Sequence, residues 1–306
     1  MNNRFPALGF IVALFIVGVG GVAYSYNQQR LSQETEKESK LPIDLSAGDP
    51  RLPAQAGLTP TPTPIPSPTA TPTPKPLTFA EMNALYGPCV SLPILMYHHI
   101  QPEEQAKAAK QTGLTVYTST FRDQMQYLKD KGYTTVGAAD LKRFFVDGTP
   151  LPAHSIMLTF DDGYSDNHSD MFPILKEMGF KGTVFMITGL AENPGYLSWG
   201  QISEMAGNGI YFGNHTWSHH NMKANVDVIQ KEVGTAETQL SDHSLNQEKI
   251  FAYPYGLMSP LAINYLSTNG YSMAFDTVSG RIQCAKKKYE LTRIRVGNTK
   301  LSAYGL

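Results

Sequence analysis

Apolar positions follow three regimes along this chain. From Phe5 to Tyr24 they form one run of about 20 residues, long enough for a helix to cross ~30 Å of hydrocarbon, and no charged side chain lies between Arg4 and Arg30. From Leu31 to about Leu77 the sequence turns polar and then periodic. Its TPTPTPIPSPTATPTPKP segment, Thr59 to Pro76, can build neither helix nor sheet ladders and predicts a stiff polyproline-like spacer rising roughly 3.1 Å per residue. From Cys89 onward short apolar runs alternate with amphipathic stretches. LPILMYH, YTTV, SIMLTF, GTVFMIT, IYFGN, KIFAYP, YSMAFD and LTRIRV read as strands. Between them helices are predicted over Phe121–Lys131, Leu141–Phe145, Met171–Met178, Trp199–Met205, Val226–Leu240 and Pro260–Ser267. Such alternation implies βαβ units and a parallel sheet, open or closed into a barrel.

The expected organisation is therefore a transmembrane or signal anchor over 1–30, a Pro/Thr-rich linker over 31–78 and one folded domain over 79–306. The amino-terminal run exceeds the ~7 to 15 apolar residues usual in a signal peptide, which favours an anchor. Arg4 on its short side places the amino terminus inside and the rest outside. Ala23 and Ser25 could form a small-residue cleavage site, in which case the chain is secreted. With 306 residues, 42% apolar content and a formal charge of −1, the chain has room for one substantial core, and no basic excess points to nucleic acid. Two cysteines occur, Cys89 before the first strand of the domain and Cys284 shortly before the last. Outside the cytoplasm they could form the single possible disulfide; two free thiols are the alternative. Neither looks catalytic.

The chemistry concentrates in two short motifs. TFDDGY (Thr159–Tyr164) puts two carboxylates at the end of an apolar strand, and HTWSH (His215–His219) puts two histidines four residues apart. Alone, Asp-Asp-Gly is a common turn, and a histidine pair is often a surface feature. Together and in this order they supply what a catalytic divalent-metal site needs: three protein ligands, an open position for water, and a free carboxylate. Asp162, His215 and His219 are read as ligands and Asp161 as the base.

On these motifs the chain resembles the polysaccharide deacetylase family, the NodB-homology domain of carbohydrate esterase family 4. TFDDG matches its first motif and H-[ST]-x-x-H its second, with Thr216 in the hydroxyl slot. The resemblance implies a distorted (β/α) barrel of about seven strands over roughly 89–300. It also marks FAYPYG (Phe251–Gly256) as the third motif, in which Tyr255 lines the groove and its backbone N–H helps hold the oxyanion. Many members carry an arginine that pairs with the catalytic Asp where this chain has Ala252; Arg293 or Arg295 could replace it. Members usually take their catalytic acid from a late strand, yet LTRIRV contains no histidine. MYHHI (Met96–Ile100) instead resembles the permuted subgroup of biofilm poly-N-acetylglucosamine deacetylases, which makes His98 the acid. His99 is the weaker choice, because neighbouring side chains on a strand point to opposite faces. Trp217 is a candidate for stacking sugar rings.

The implied activity is metal-dependent removal of N-acetyl groups from N-acetylglucosamine units of a cell-surface or extracellular polysaccharide (peptidoglycan, poly-N-acetylglucosamine or chitin-like). The expected enzyme is a monomeric catalytic domain held at the membrane through the amino-terminal helix. The cofactor is one divalent ion, Zn²⁺ first, with Co²⁺, Ni²⁺ or Fe²⁺ suiting the same ligands. The competing readings are an O-acetyl (xylan-type) esterase on the same site and a catalytically quiet glycan-binding module.

Overall fold

A computed structural model describes residues 76–306. The predicted anchor over 1–30, and the linker up to residue 75, lie outside the described residues. Within them no helix is long and apolar enough to cross a membrane.

The described residues carry β1 (Cys89–Ser91), β2 (Ile94–Tyr97), β3 (His99–Gln101), β4 (Thr115–Tyr117), β5 (Thr134–Thr135), β6 (Ser155–Asp162), β7 (Gly182–Met186), β8 (Ile210–Asn214), β9 (Ile250–Ala252), β10 (Met273–Phe275), β11 (Ile282–Cys284) and β12 (Ile294–Arg295). The main sheet runs β10-β9-β8-β7-β6-β2-β12, with β5 beside the start of β6, and its pairings are parallel. One carboxyl-terminal segment reaches both edges. Leu291 donates its N–H to Ala274 and accepts from Asp276 on the β10 side, whereas Val296 donates to Met96 on the β2 side. The sheet thus curls into a distorted (β/α) barrel. Because β12 lies next to β2, the first main-sheet strand is brought beside the last.

Helices fill the crossovers at Thr118–Asp130, Ala138–Asp147, Phe172–Met178, Trp199–Ala206, Val226–Asp242 and Pro260–Thr268. These match the six predicted spans, and the largest differences are at amino ends. The helix predicted from Phe121 starts at Thr118, because its first turn, Thr118-Ser119-Thr120, precedes the apolar stripe of Phe121, Met125 and Leu128 that the pattern detects. The periodicity did not reveal the helix Phe79–Tyr86, which has no buried residue and starts on a capping box between Thr78 and Glu81.

Alternation along the strands sorts side chains into two layers. Ile94, Met157, Phe185, Ile250, Ala252, Met273 and Phe275 pack in one cluster inside the curl. Their neighbours Leu95, Leu158, Phe160, Val184 and Met186 pack outward against helices, and Phe251 and Ala274 do so on the β9–β10 side. Beneath the sheet, β1 pairs antiparallel with β11, Cys89 opposite Cys284, and the two are joined in a disulfide across 195 residues of sequence. Beside it the buried Gln283 amide donates to the carbonyls of Leu92 and Thr292, just ahead of β2 and β12. The structure selects the disulfide over free thiols.

Candidate active site

Strand parity poses a problem at the end of β6. Met157, Thr159 and Asp161 share the inward parity, so a regular strand would aim Asp162 outward with Leu158 and Phe160. The backbone resolves this by turning left-handed, with φ of 76° at Asp162 and 74° at Gly163. Such a conformation costs a non-glycine residue on the order of 1 kcal/mol. Gly163 also leaves room for the Met186 thioether, which a Cβ there would displace. The turn brings Asp162 Oδ1 to 3.3 Å from Nε2 of both His215 and His219.

His215 follows β8, whose last residue, Asn214, is tied outward to the Val233 carbonyl and the Tyr271 hydroxyl. The His215 Nδ1–H donates to the Ala252 carbonyl at 2.8 Å, which leaves the Nε2 lone pair facing Asp162. Left-handed residues at Thr216 (φ 69°) and His219 (φ 64°) then bend the chain back over four residues. Glu232, buried on the helix Val226–Asp242, clamps the middle of this bend. Its carboxylate accepts from the Ser218 N–H at 2.8 Å and the Ser218 hydroxyl at 2.7 Å, and its carbonyl accepts from the Trp217 N–H. His219 Nδ1 meets the Tyr255 hydroxyl at 2.9 Å.

One donor atom each from Asp162, His215 and His219 lies within 4.8 Å of the others. Asp162 Oδ1 is buried without a hydrogen-bond partner, an arrangement that costs free energy unless something else occupies its lone pairs. Two imidazoles and a carboxylate fit a borderline divalent cation. Burial pushes the Asp162 carboxyl up, but His215 and the other nearby histidines outweigh it and hold it below the usual range. Burial pushes His215 down, yet Asp162 and Asp161 raise it overall. Burial and the neighbouring His215 push His219 down to about 4. A cation binding here would displace protons.

Asp161 faces a different partner. Arg293 Nη1 and Nη2 donate to its two oxygens, each at 2.7 Å, while Nη1 also reaches Thr159 and Nε donates to the Asp276 carbonyl. Both ends of this pair are buried, Arg293 at 0% exposure. Burial pushes Asp161 up and Arg293 more than offsets it, so the carboxyl sits below its ordinary value. Of the two arginines expected to replace the cation missing at Ala252, the structure selects Arg293; Arg295 is exposed. Ala252 packs instead in the interior cluster.

His98 lies just past β2. The register Tyr97 opposite Phe160 sets it alongside Asp161. Burial lowers its pKa, partly countered by Asp161 and Asp162. His99 points elsewhere, with Nδ1 at 2.5 Å from Asp166 and its ring stacked on Tyr164 at 3.6 Å. Tyr255 is 64% exposed in a tight turn with φ of 59°, on the open side of His219. Trp217 is half-buried, with the Lys231 ammonium 5.2 Å over its ring. Asp276 binds the Thr277 N–H.

Sequence reasoning missed Glu232, Asp166 and Asn167. A signal for Glu232 existed: with Ile229, Val233, Ala236 and Leu240 it occupies the buried stripe of its helix, where a lone carboxylate is out of place. No comparable signal marked Asp166, which lies in polar loop sequence.

A sequence profile described as polysaccharide deacetylase matches residues 148–274. The Bacillus subtilis protein YxkH, named among polysaccharide deacetylases, is 30% identical over 206 residues, covering 67% of this chain and 71% of that protein. The poly-beta-1,6-N-acetyl-D-glucosamine N-deacetylase of Escherichia coli K12 is 25% identical over 248 residues, covering 67% of this chain but 36% of its own length. Among solved structures, the Streptococcus pyogenes deacetylase PplD in complex with acetate superposes with a TM-score of 0.64 at 30% identity, covering 69% of this chain and 94% of that one.

Proposed function

Since this chain belongs to the polysaccharide deacetylase family, we propose that it hydrolyses N-acetyl groups from N-acetylglucosamine units of a polysaccharide, with poly-β-1,6-N-acetylglucosamine the first candidate polymer. The observation that carries the reading is the Asp162–His215–His219 cluster beside a separate, arginine-paired Asp161. A relative named for poly-beta-1,6-N-acetyl-D-glucosamine supports the polymer, and the acetate in PplD suits the product.

Asp162, His215 and His219 would hold a divalent cation, Zn²⁺ first among candidates, which supplies Lewis-acid polarisation of the acetyl carbonyl and of water. The chain's own groups move the protons. Asp161 takes one from the attacking water; both its oxygens accept from Arg293, yet each keeps a second lone pair. The guanidinium fixes the carboxylate's orientation and keeps it ionised. His98 gives a proton to the departing nitrogen as the carbon–nitrogen bond breaks. The water oxygen ends in acetate and the sugar keeps a free amine. The backbone N–H of Tyr255 faces the developing oxyanion, while its exposed ring, with Trp217, lines the groove for sugar. Arg293 restores the cation that Ala252 lacks, which weighs against a module that only binds glycan. The Cys89–Cys284 disulfide supports action outside the cytoplasm, with residues 1–30 as anchor.

The test is release of acetate and free amine from N-acetylglucosamine oligomers by the full chain, metal-stripped and then reloaded, beside Asp161→Asn. Metal-dependent release that disappears in Asp161→Asn is expected. Full turnover in that variant, or activity on acetyl esters alone, would overturn the reading.

A further inference from the structure

Three consecutive residues at the end of β2 and the start of β3 are tied to the loop that follows the Asp161–Asp162 pair. The Asn167 amide donates to the His98 carbonyl at 3.0 Å. The His99 ring meets Asp166 Oδ2 at 2.5 Å, and the Ile100 N–H donates to Asp166 Oδ1 at 3.0 Å. Asn167 also donates to Asp166 Oδ1, at 3.1 Å, so the two loop residues brace each other. A carboxylate accepts only, so His99 Nδ1 carries the proton. Its Nε2 is buried without a partner, and its ring lies flat on Tyr164. Such a group is costly to bury for packing alone.

Backbone geometry gives this cluster a purpose. β2 and β6 are neighbours in the sheet but their paired residues are 63 apart in sequence, and their pairing ends at Tyr97–Phe160. Beyond that pair no ladder holds His98 relative to Asp161. Asp166 and Asn167 take over where the ladder stops, linking the His98 carbonyl and the two residues after it to the loop that follows the carboxylates.

We infer that Asp166, with Asn167 and His99, is a positioning device that sets the His98 imidazole against the leaving nitrogen. Asp166 touches neither substrate nor metal in this role; it acts through the backbone and ring of its neighbours. The inference rests on His98 as the acid of the proposed reaction. Displacing a proton donor by about 1 Å costs on the order of 10²-fold, and only for reactions whose leaving group needs that proton.

The experiment compares two substrates on the metal-loaded full chain: N-acetylglucosamine oligomers, whose amine must be protonated to leave, and p-nitrophenyl acetate, whose phenolate leaves without a proton. In Asp166→Ala the ratio of amide to aryl-ester turnover is expected to fall roughly 10- to 100-fold, with KM for the oligomer little changed, and Asp166→Asn is expected to recover part of the loss. His98→Ala should lower the same ratio. If Asp166→Ala melts early, Asp166→Asn alone decides, through a severalfold fall in the ratio. Equal loss on both substrates, or no loss, while His98→Ala shifts the ratio, overturns the inference and leaves the acid intact. An unshifted ratio in His98→Ala overturns both.

Discussion

The two ends of this barrel are built to opposite rules. At the amino ends of β2 and β12 polar groups are matched: Gln283 satisfies two carbonyls, and β1 and β11 are closed by the disulfide. Left-handed residues occur at both ends, but those at the amino ends, such as His154 and Lys249, only lead into β6 and β9, whereas at the carboxyl ends they are the motif residues Asp162, Thr216, His219 and Tyr255. There too lie the buried, unpartnered atoms of His99, Asp162, Asn167, Thr188 and Thr216. One end spends nothing on chemistry and holds the fold; the other gives up stability to aim side chains where regular strands would not. This is the arrangement expected when active sites form at strand carboxyl ends.

Variants that touch one end and leave the other alone would break or sharpen that contrast. The largest effect is expected for Asp161→Asn: deacetylation falls by about 10²- to 10⁴-fold, while equilibrium dialysis still finds the metal bound. Arg293→Met bridges the two rules, because the residue serves both core and site. It leaves a buried carboxylate unpaired and should cost about 3–5 kcal/mol in a urea melt. Cys89→Ser with Cys284→Ser should cost roughly 2–5 kcal/mol with kcat and metal affinity unchanged; a loss of activity without a loss of stability would sink the division of labour. Glu232→Ala, by releasing Ser218, should weaken metal binding by roughly 10- to 100-fold in a competition titration, and Glu232→Gln by less.

The smallest effect is a pH dependence. Asp161 has a lowered pKa in the fold, with burial opposing and Arg293 prevailing. Its stabilisation is therefore fully present above the unfolded value of about 3.9 and is lost as pH falls through the lower folded value. Acid melts should show that loss below about pH 3.9 in the parent chain, and Asp161→Asn should lack it.

Much of this could be read along the chain. The order of main-sheet strands and helices and the placing of Asp161, Asp162 and His215 at strand ends came from runs of four to eight residues, where alternation and turn chemistry act locally, and the family resemblance narrowed a parallel sheet, open or closed, to the barrel class. Other features were open. Cys89 could have been a free thiol, the replacement for the cation missing at Ala252 had two candidates, and Asp166 was invisible as part of a site. Each of these depends on a partner far away in sequence: 195 residues for the disulfide and 132 for the Arg293–Asp161 pair.

The sequence by itself determined the menu of chemical groups and the local geometry that presents them, because periodicity and turn preference are set by near neighbours. Only the tertiary structure decided which arginine meets Asp161 and how Asp162 turns inward. Those choices follow from strand register and from a barrel that sets its first main-sheet strand beside its last, and register is a property of the whole sheet.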